Sequence, residues 1–159
     1  TATGKTALGI RLAKKFNGEI ISADSRQIYQ GMDIATGKDI QGGQWVKDKK
    51  LGDHWEIGGI PIWLLDIVKP NQEFSVAHYT NLAWKIIKAV WQKGKLPILV
   101  GGTGFYIKAT IDKIPTQEIP PNWSLRKELE LKSGKKCREL EPGTTKADRL
   151  FREGGDLIE

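Results

Sequence analysis

Residues 1–16 read T-A-T-G-K-T-A-L-G-I-R-L-A-K-K-F, a glycine-lysine-threonine run that passes directly into an amphipathic segment. Leu8, Leu12 and Phe16 recur at helical spacing with charged residues between them, which predicts a helix over 7–16. T-G-K-T matches the second half of the phosphate-binding loop G-x-x-x-x-G-K-S/T, whose first glycine would lie two positions before Thr1. Such a loop follows a strand, so we expect a strand before residue 1.

The chemistry of this loop follows from its place at the start of a helix. Main-chain N–H groups and the helix N-terminus present positive potential to a diphosphate, which the lysine of the motif can also reach. The threonine hydroxyl can ligate a metal, so we expect Mg²⁺ as cofactor with Thr6 as its ligand. The candidate phosphate-binding residues are Thr1, Ala2, Thr3, Gly4, Lys5 and Thr6. The alternative is an ordinary solvated helix start, where Gly-Lys-Thr also occurs.

Two further polar clusters each follow a short apolar run that we interpret as a strand. Glu19–Ala23 precedes Asp24–Gln27, and Pro97–Val100 precedes Gly101–Gly104, with a helix predicted between them over 75–93. Helices and strands therefore alternate with short connections, and ligands bind beyond the carboxyl ends of strands in such sheets. We predict an α/β fold, namely a P-loop NTPase-like three-layer domain with a mainly parallel sheet.

A hairpin is predicted around the glycine pair at 58–59. Trp55–Ile57 and Ile60–Leu64 flank that pair, which supplies the positive φ that a tight hairpin turn requires. We expect the second arm to continue as a strand over Ile62–Ile67, because this run is apolar nearly throughout.

The chain divides into two regions that differ in composition and in hydrophobic pattern. We assign residues 1–113 to a P-loop α/β catalytic core with an inserted hairpin at about 41–60. From residue 114 onward, proline, glycine and charged residues interrupt the pattern, apart from a short charged helix predicted over 125–131. We assign 114–159 to the incomplete start of an α-helical region.

Asp24 and Thr103 are the side chains best placed for chemistry in the two loops. A carboxylate after a parallel strand can act as a general base or support a magnesium site, and the alternative is that Asp24 caps the next turn. Ser25, Arg26 and Gln27 add donors suited to a base edge or a phosphate. Thr103 offers a hydroxyl in the same crevice, the alternative being a tight turn without a ligand.

Composition limits the function only broadly. The chain has 159 residues, 39% of them hydrophobic and 28% charged, which fits one soluble domain with a genuine core. No apolar run reaches the length of a membrane span, and the single cysteine, Cys137, provides neither an internal disulfide nor a zinc site. We expect a cytoplasmic protein. The net charge of +6 gives modest support to a polyanionic partner, although a basic surface is the simpler explanation.

Three stretches together resemble the tRNA dimethylallyltransferase family. They are T-A-T-G-K-T at 1–6, G-E-I-I-S-A-D-S-R-Q-I-Y-Q-G-M-D-I-A-T-G-K at 18–38 and L-P-I-L-V-G-G-T-G-F-Y-I-K-A at 96–109. The resemblance covers roughly 1–109 and weakens toward 131. It implies transfer of a dimethylallyl group from dimethylallyl diphosphate to the exocyclic amine of the adenosine next to the anticodon in tRNA.

The resemblance also implies roles for individual residues. Asp24 would accept the proton of the adenine amine and Thr103 would line the reaction channel, so these are the catalytic residues. The implied tRNA-binding residues are Asp24, Ser25, Arg26, Gln27, Thr103 and, in P-P-N-W-S-L-R, Arg126. The implied partners are the tRNA anticodon stem-loop and dimethylallyl diphosphate, with no membrane, and we expect a monomer.

The sequence departs from the family pattern in two places. Where family members carry Pro-His-His-Leu-Ile-Asp, residues 61–66 read P-I-W-L-L-D, and the preceding insertion is interpreted as a surface elaboration without a role. The stretch after Leu131 does not match the arginine-rich helical region of the family. Two alternatives therefore stay open. The first is a small-molecule P-loop kinase, and the second is a catalytically inactive fragment that keeps the fold.

Overall fold

The structure is a computed structural model that describes residues 4–33, 36–38, 40–112 and 122–130. Its elements are, in chain order, helix α1 Lys5–Lys15, strands β1 Gly18–Ser22, β2 Gln44–Val46, β3 His54–Ile57 and β4 Ile60–Trp63, helix α2 Val76–Gln92, strand β5 Leu96–Val100, and helices α3 Gly104–Asp112 and α4 Trp123–Glu130. The chain divides into two compact units, residues 1–114 and residues 115–159, and α4 belongs to the second unit. In the described part of the chain, no helix combines the length and apolar character needed to cross a membrane.

Within the described residues the strands form one five-stranded sheet in the order β2-β3-β4-β1-β5. β1 pairs in parallel with β4 on one side and with β5 on the other. β2 with β3, and β3 with β4, pair antiparallel. The sheet is therefore parallel across the strands that precede the polar clusters, and antiparallel where the segment at about 41–60 extends it.

Helices cover both faces of the sheet because the side chains of β1 alternate between two apolar clusters. Ile20 packs with Ala13 of α1 on one face, and Ile21 packs with Ile86 and Val90 of α2 on the other. All five side chains are buried, and each isoleucine or valine among them contributes about 1.5–3 kcal/mol on burial. The predicted three-layer α/β architecture is confirmed.

The long helix α2 has the ends that its sequence predicts. The Ser75 hydroxyl accepts from the His78 amide at 3.3 Å, and the His78 ring accepts from the Ser75 amide at 3.2 Å, so the two residues form a capping box. Gly94, just past the end of the helix, has φ +68°, the left-handed conformation in which glycine stops helices.

The predicted hairpin is correct, but the predicted length of its second arm is wrong. β3 and β4 pair through a turn in which Gly58 and Gly59 both have positive φ. β4 ends at Trp63 rather than continuing to residue 67, because Leu64 and Asp66 adopt φ of 61° and 57°. This left-handed bend takes the chain out of the sheet, and the following amides pair with the main chain just after β1.

Glu19 is a buried carboxylate at the amino end of β1. Its side chain is 1% exposed, and it accepts from the Trp63 indole at 2.8 Å, from Lys95 Nζ at 3.0 Å and from Lys93 Nζ at 3.2 Å. Burial raises the pKa of the Glu19 carboxyl, but the hydrogen bonds from Lys95 and Trp63 and the charge of Lys93 outweigh it and lower the pKa overall.

We expect Glu19→Gln to reduce the free energy of unfolding at pH 7 by about 1.5–3 kcal/mol, the usual contribution of hydrogen bonds to a charged group. The folded pKa is depressed, so this stabilisation is present above the unfolded value of about 4.3 and is lost as pH falls through the folded pKa. Urea unfolding at pH 7 and at lower pH measures the free energy of unfolding of the parent and of the Glu19→Gln variant. The difference between these two free energies should become smaller below about pH 4. Glu73→Gln, at an exposed glutamate, is the matched control. An equal loss at every pH would contradict the ionic origin of the effect.

Candidate active site

A pocket lies at the carboxyl ends of the parallel strands. Its lining residues come from the start of α1, from β1, β4 and β5, and from the segments that follow these three strands. They are Lys5, Thr6, Ile20, Ser22, Asp24, Gln27, Gly37, Ile62, Leu65, Val100, Gly101 and Gly102. The structure thus brings the three polar clusters of the sequence to one place.

The start of α1 contributes the phosphate-type part of the lining. Gly4 has φ +69° and precedes the helix, and its carbonyl accepts from the Leu8 amide at 3.0 Å. Within the described residues, α1 has no side-chain cap and no acidic residue in its first turn, so no carboxylate competes with an anion there. Lys5 and Thr6 follow directly and line the pocket. Thr1, Ala2 and Thr3 lie outside the described residues.

Asp24 lines the pocket and also caps the turn that follows it. Asp24 is only 7% exposed, and its Oδ1 accepts from the amides of Arg26 at 3.0 Å and Gln27 at 3.3 Å. Oδ2 faces Gly102, since a Cβ placed on that glycine would lie 3.4 Å from it. Asp24 therefore caps the turn with Oδ1, while Oδ2 is left on the Gly102 side of the pocket.

Thr103 joins the loop after β5 to the loop after β1. Its amide donates to the Ala23 carbonyl at 3.0 Å. Its hydroxyl accepts from the Ser25 amide at 2.9 Å and lies 3.2 Å from the Ser25 hydroxyl. Among the described residues, Ser25 and Thr103 do not belong to the pocket lining, and these bonds hold the loop after β5 to the loop after β1 beside it.

The remaining predicted residues, Gln27, Arg26 and Arg126, differ in their position relative to the pocket. Gln27 lines the pocket, and its side-chain amide donates to the carbonyls of Thr36 at 3.0 Å and Gly37 at 3.1 Å. The Arg26 side chain is exposed outside the lining. Arg126 lies in α4, in the second unit, and its side chain is outside the described residues.

Tyr106 of α3 lies near Asp24. Burial raises the pKa of the Tyr106 phenol, and the Tyr29 phenol, in its ionised form, and the Asp24 carboxylate raise it further. The ring stacks on Tyr79 at 4.1 Å between centroids, with an interplanar angle of 15°. Tyr106 is therefore neutral at physiological pH and supports the site as a packed aromatic ring.

Sequence reasoning missed half of the lining, although the alternation of β1 carried the signal. Successive side chains on a strand point to opposite faces, so residues two apart share a face. Ile20 and Ser22 therefore lie on the same side as Asp24, and all three line the pocket. The same rule places Val100 of β5 with Gly102. Ile62, Leu65 and Gly37 reach the pocket through tertiary structure that no local pattern encodes.

A glycine-lysine-threonine helix start that faces the carboxyl ends of parallel strands is the arrangement of P-loop NTPase-like domains, the class of protein that this fold and site define. A family model described as IPP transferase matches residues 27–149, and the chain belongs to that family.

Individual relatives agree with this assignment. The chain is 42% identical over 159 residues to tRNA dimethylallyltransferase 1 of Geotalea uraniireducens, which covers 100% of this chain and 47% of that protein. The full-length tRNA isopentenylpyrophosphate transferase of Bacillus halodurans aligns with a TM-score of 0.62 and 37% identity, over 94% of this chain and 47% of that one. A eukaryotic dimethylallyltransferase acting on tRNA aligns with a TM-score of 0.62 and 32% identity, over 82% and 29%. The chain spans less than half the length of these relatives.

We expect Gly101→Ala to destabilise the fold by about 2 kcal/mol or more, in the range of an overpacked interior. A Cβ at Gly101 would lie 2.1 Å from the Ala23 carbonyl oxygen, a main-chain atom held by its hydrogen bond from the Thr103 amide. Gly104→Ala is the matched control, because a Cβ there meets nothing within 4 Å and alanine favours a helix start over glycine. Urea unfolding followed by tryptophan fluorescence measures both, and similar stabilities would contradict the close contact.

Proposed function

We propose that this chain is the catalytic part of a tRNA dimethylallyltransferase. Such an enzyme transfers a dimethylallyl group from dimethylallyl diphosphate to the exocyclic amine of the adenosine next to the anticodon. The observation that carries the proposal is the shared pocket, which holds a lysine and a threonine at a helix N-terminus together with the carboxylate of Asp24. Membership in the IPP transferase family supports this reaction over others that the same fold performs.

The donor diphosphate binds at the start of α1 in this proposal. The N-terminal amides of the helix and the Lys5 ammonium neutralise the negative charge that develops on the diphosphate as it leaves. Mg²⁺ accepts oxygen ligands and is usually held by one or two protein groups together with substrate phosphates. The Thr6 and Ser22 hydroxyls in the pocket lining fit this requirement, with Thr6 as the ligand that the loop motif implies. When bound, Mg²⁺ would supply further positive charge to the leaving diphosphate.

The acceptor amine is activated by Asp24. The adenine nitrogen forms a bond to the first carbon of the dimethylallyl group while the bond from that carbon to the diphosphate oxygen breaks. The amine proton then goes to the carboxylate. Oδ1 is occupied by the Arg26 and Gln27 amides, so Oδ2, on the Gly102 side, receives the proton. The target base must leave its stack to reach this atom.

The tRNA anticodon stem-loop is the proposed macromolecular partner. Ser25, Arg26 and Gln27 would contact the nucleotides around the target base, with Thr103 holding Ser25 in place through the bonds described above. Arg126 would contact tRNA from the second unit. The net charge of +6 suits a polyanionic partner. A monomeric, cytoplasmic protein is part of the same proposal.

Two other functions are separated from this one by simple assays. A small-molecule kinase would transfer phosphate from ATP, and a lid with arginines over the phosphates would close the site. An inactive fragment would bind diphosphate without any turnover. The family assignment favours prenyl transfer over phosphate transfer.

We expect Lys5→Ala to weaken binding of dimethylallyl diphosphate by about tenfold or more, because loss of the charged contact between the lysine and the phosphates costs about 1.5–3 kcal/mol. Arg26→Ala should change the affinity by less than about twofold, since its exposed side chain lies outside the pocket and a surface charge contributes little. Lys14→Ala, at an exposed lysine in the last turn of α1, controls for net charge. Calorimetric titration of the chain with Mg²⁺ present measures all three, and equal losses at Lys5 and Arg26 would refute these roles.

The catalytic role of Asp24 is tested in a chimera in which this chain replaces the matching segment of a full-length relative. Asp24→Asn keeps an oxygen that can accept from the Arg26 and Gln27 amides, but it removes the proton acceptor. We expect single-turnover transfer to fall by about a hundredfold or more while donor and tRNA affinities stay nearly constant, the scale for loss of a positioned general base. If transfer stayed within about threefold of the parent, Asp24 would act only as a turn cap.

A further inference from the structure

The Lys38 ammonium is a buried cation held between the loop after β1, which contains Tyr29 and Asp33, and Asp66 in the bend after β4. Its side chain is 0% exposed, and Nζ donates to the Tyr29 carbonyl at 2.6 Å and to Asp33 Oδ1 at 3.0 Å. It also forms an ion pair with Asp66 Oδ1, whose side chain is 11% exposed. A buried charge persists only where such partners compensate for its lost hydration.

Asp66 extends this contact into the inserted segment. Its second oxygen, Oδ2, accepts from the indole N–H of Trp55 at 2.9 Å, and Trp55 belongs to β3. Lys38, Asp66 and Trp55, named here the lysine network, therefore link the loop after β1, the bend after β4 and the strand that the insertion adds to the sheet.

The same region holds the turn that carries Asp24. The Asp66 amide donates to the Gln27 carbonyl at 3.1 Å, and the Ile67 amide donates to the Ile28 carbonyl at 2.9 Å. The bend after β4 is therefore bonded through the main chain to the turn that follows Asp24. The Gln27 side chain binds the carbonyls of the two residues immediately before Lys38. One of these, Gly37, lines the pocket. The lysine network thus closes a ring of contacts around the turn that follows Asp24.

We propose that Lys38 is a positioning residue for the pocket and that Trp55 gives the inserted hairpin a share in that role. Lys38 holds the turn after Asp24 against the Asp66 bend, and the Trp55 indole fixes the Asp66 carboxylate in the orientation that meets Lys38. The inference rests on the proposed prenyl transfer for its kinetic effect, whereas its structural effect is independent of any reaction.

Trp55→Phe is the mildest test of the network, since it keeps an aromatic ring in β3 and removes only the N–H donor. Lys38→Met removes the ammonium at nearly constant length, and Lys38→Arg restores a charge. Trp91→Phe and Lys47→Met are matched controls, because both of these side chains are exposed and outside the network.

The first measurement is native-state hydrogen exchange of the chain itself, with urea unfolding alongside. We expect Trp55→Phe to speed exchange of the Arg26 and Gln27 amides, which donate to Asp24 Oδ1, by about tenfold, relative to β1 and α2 amides. Trp91→Phe should leave all of these rates unchanged. Acceleration spread evenly over β1, α2 and the turn would mean general destabilisation and would overturn the proposal, as would no acceleration at the turn.

The second measurement is single-turnover transfer in the chimera described above. We expect Trp55→Phe and Lys38→Met to slow transfer by about tenfold or more, with the donor KM within about twofold, because a misplaced base affects the chemical step rather than donor binding. Lys38→Arg should recover part of the rate and Lys47→Met should match the parent. If only the donor KM changed, or if Trp55→Phe transferred at the parent rate, the network would not position the base. A parent chimera without transfer would contradict the proposed function, and hydrogen exchange would then decide on the network alone.

Discussion

The main chains of Ala23 and Gly101 touch where β1 and β5 end, and the geometry of the pocket depends on that contact. The Ala23 amide donates to the Val100 carbonyl at 2.8 Å, and its carbonyl accepts from the Thr103 amide at 3.0 Å. A side chain at Gly101 would collide with the Ala23 carbonyl, so only glycine allows the two strands to leave the sheet this close together. Both loops consequently fold over the same strand ends, which puts Asp24 and Gly102 in one pocket.

β1 carries a carboxylate near each end, and their surroundings give them opposite properties. Glu19 at the amino end is surrounded by the lysines at 93 and 95 and the Trp63 indole, so its charge is fully compensated and serves the fold. Asp24 at the carboxyl end belongs to none of the ion pairs among the described residues, and only its Oδ1 accepts main-chain amides. Asp24 keeps one carboxylate oxygen clear of main-chain amides on the Gly102 side, whereas both oxygens of Glu19 are bound by lysines or by the Trp63 indole.

Local sequence patterns were sufficient for most of the fold and for the centre of the site. The spacing of apolar residues predicted α2, and the Gly58-Gly59 pair predicted its hairpin, because both signals depend on residues close in sequence. The polar clusters met because parallel strands align their carboxyl ends. The end of β4 could not be predicted, since the left-handed φ of Leu64 and Asp66 is imposed by hydrogen bonds to the chain after β1. The pairing of Lys38 with Asp66 was equally hidden, because the two residues lie 28 positions apart in the sequence.

The early end of β4 also explains how β3 is connected to the loop after β1. Trp55 sits opposite Ile62 in the antiparallel pairing of β3 with β4, one residue before β4 stops. A straight strand rises by about 3.3 Å per residue. If β4 had continued straight, Asp66 would therefore lie four residues further along the sheet than Ile62, the partner of Trp55. In the bend Asp66 instead lies beside β3, where one carboxylate oxygen accepts from the Trp55 indole and the other pairs with Lys38. A strained backbone segment of this kind persists only where surrounding contacts stabilise it, and here those contacts come from the turn that follows Asp24. The bend and the turn that follows Asp24 therefore stabilise each other through main-chain bonds, and β3 is joined to the bend through the Asp66 carboxylate.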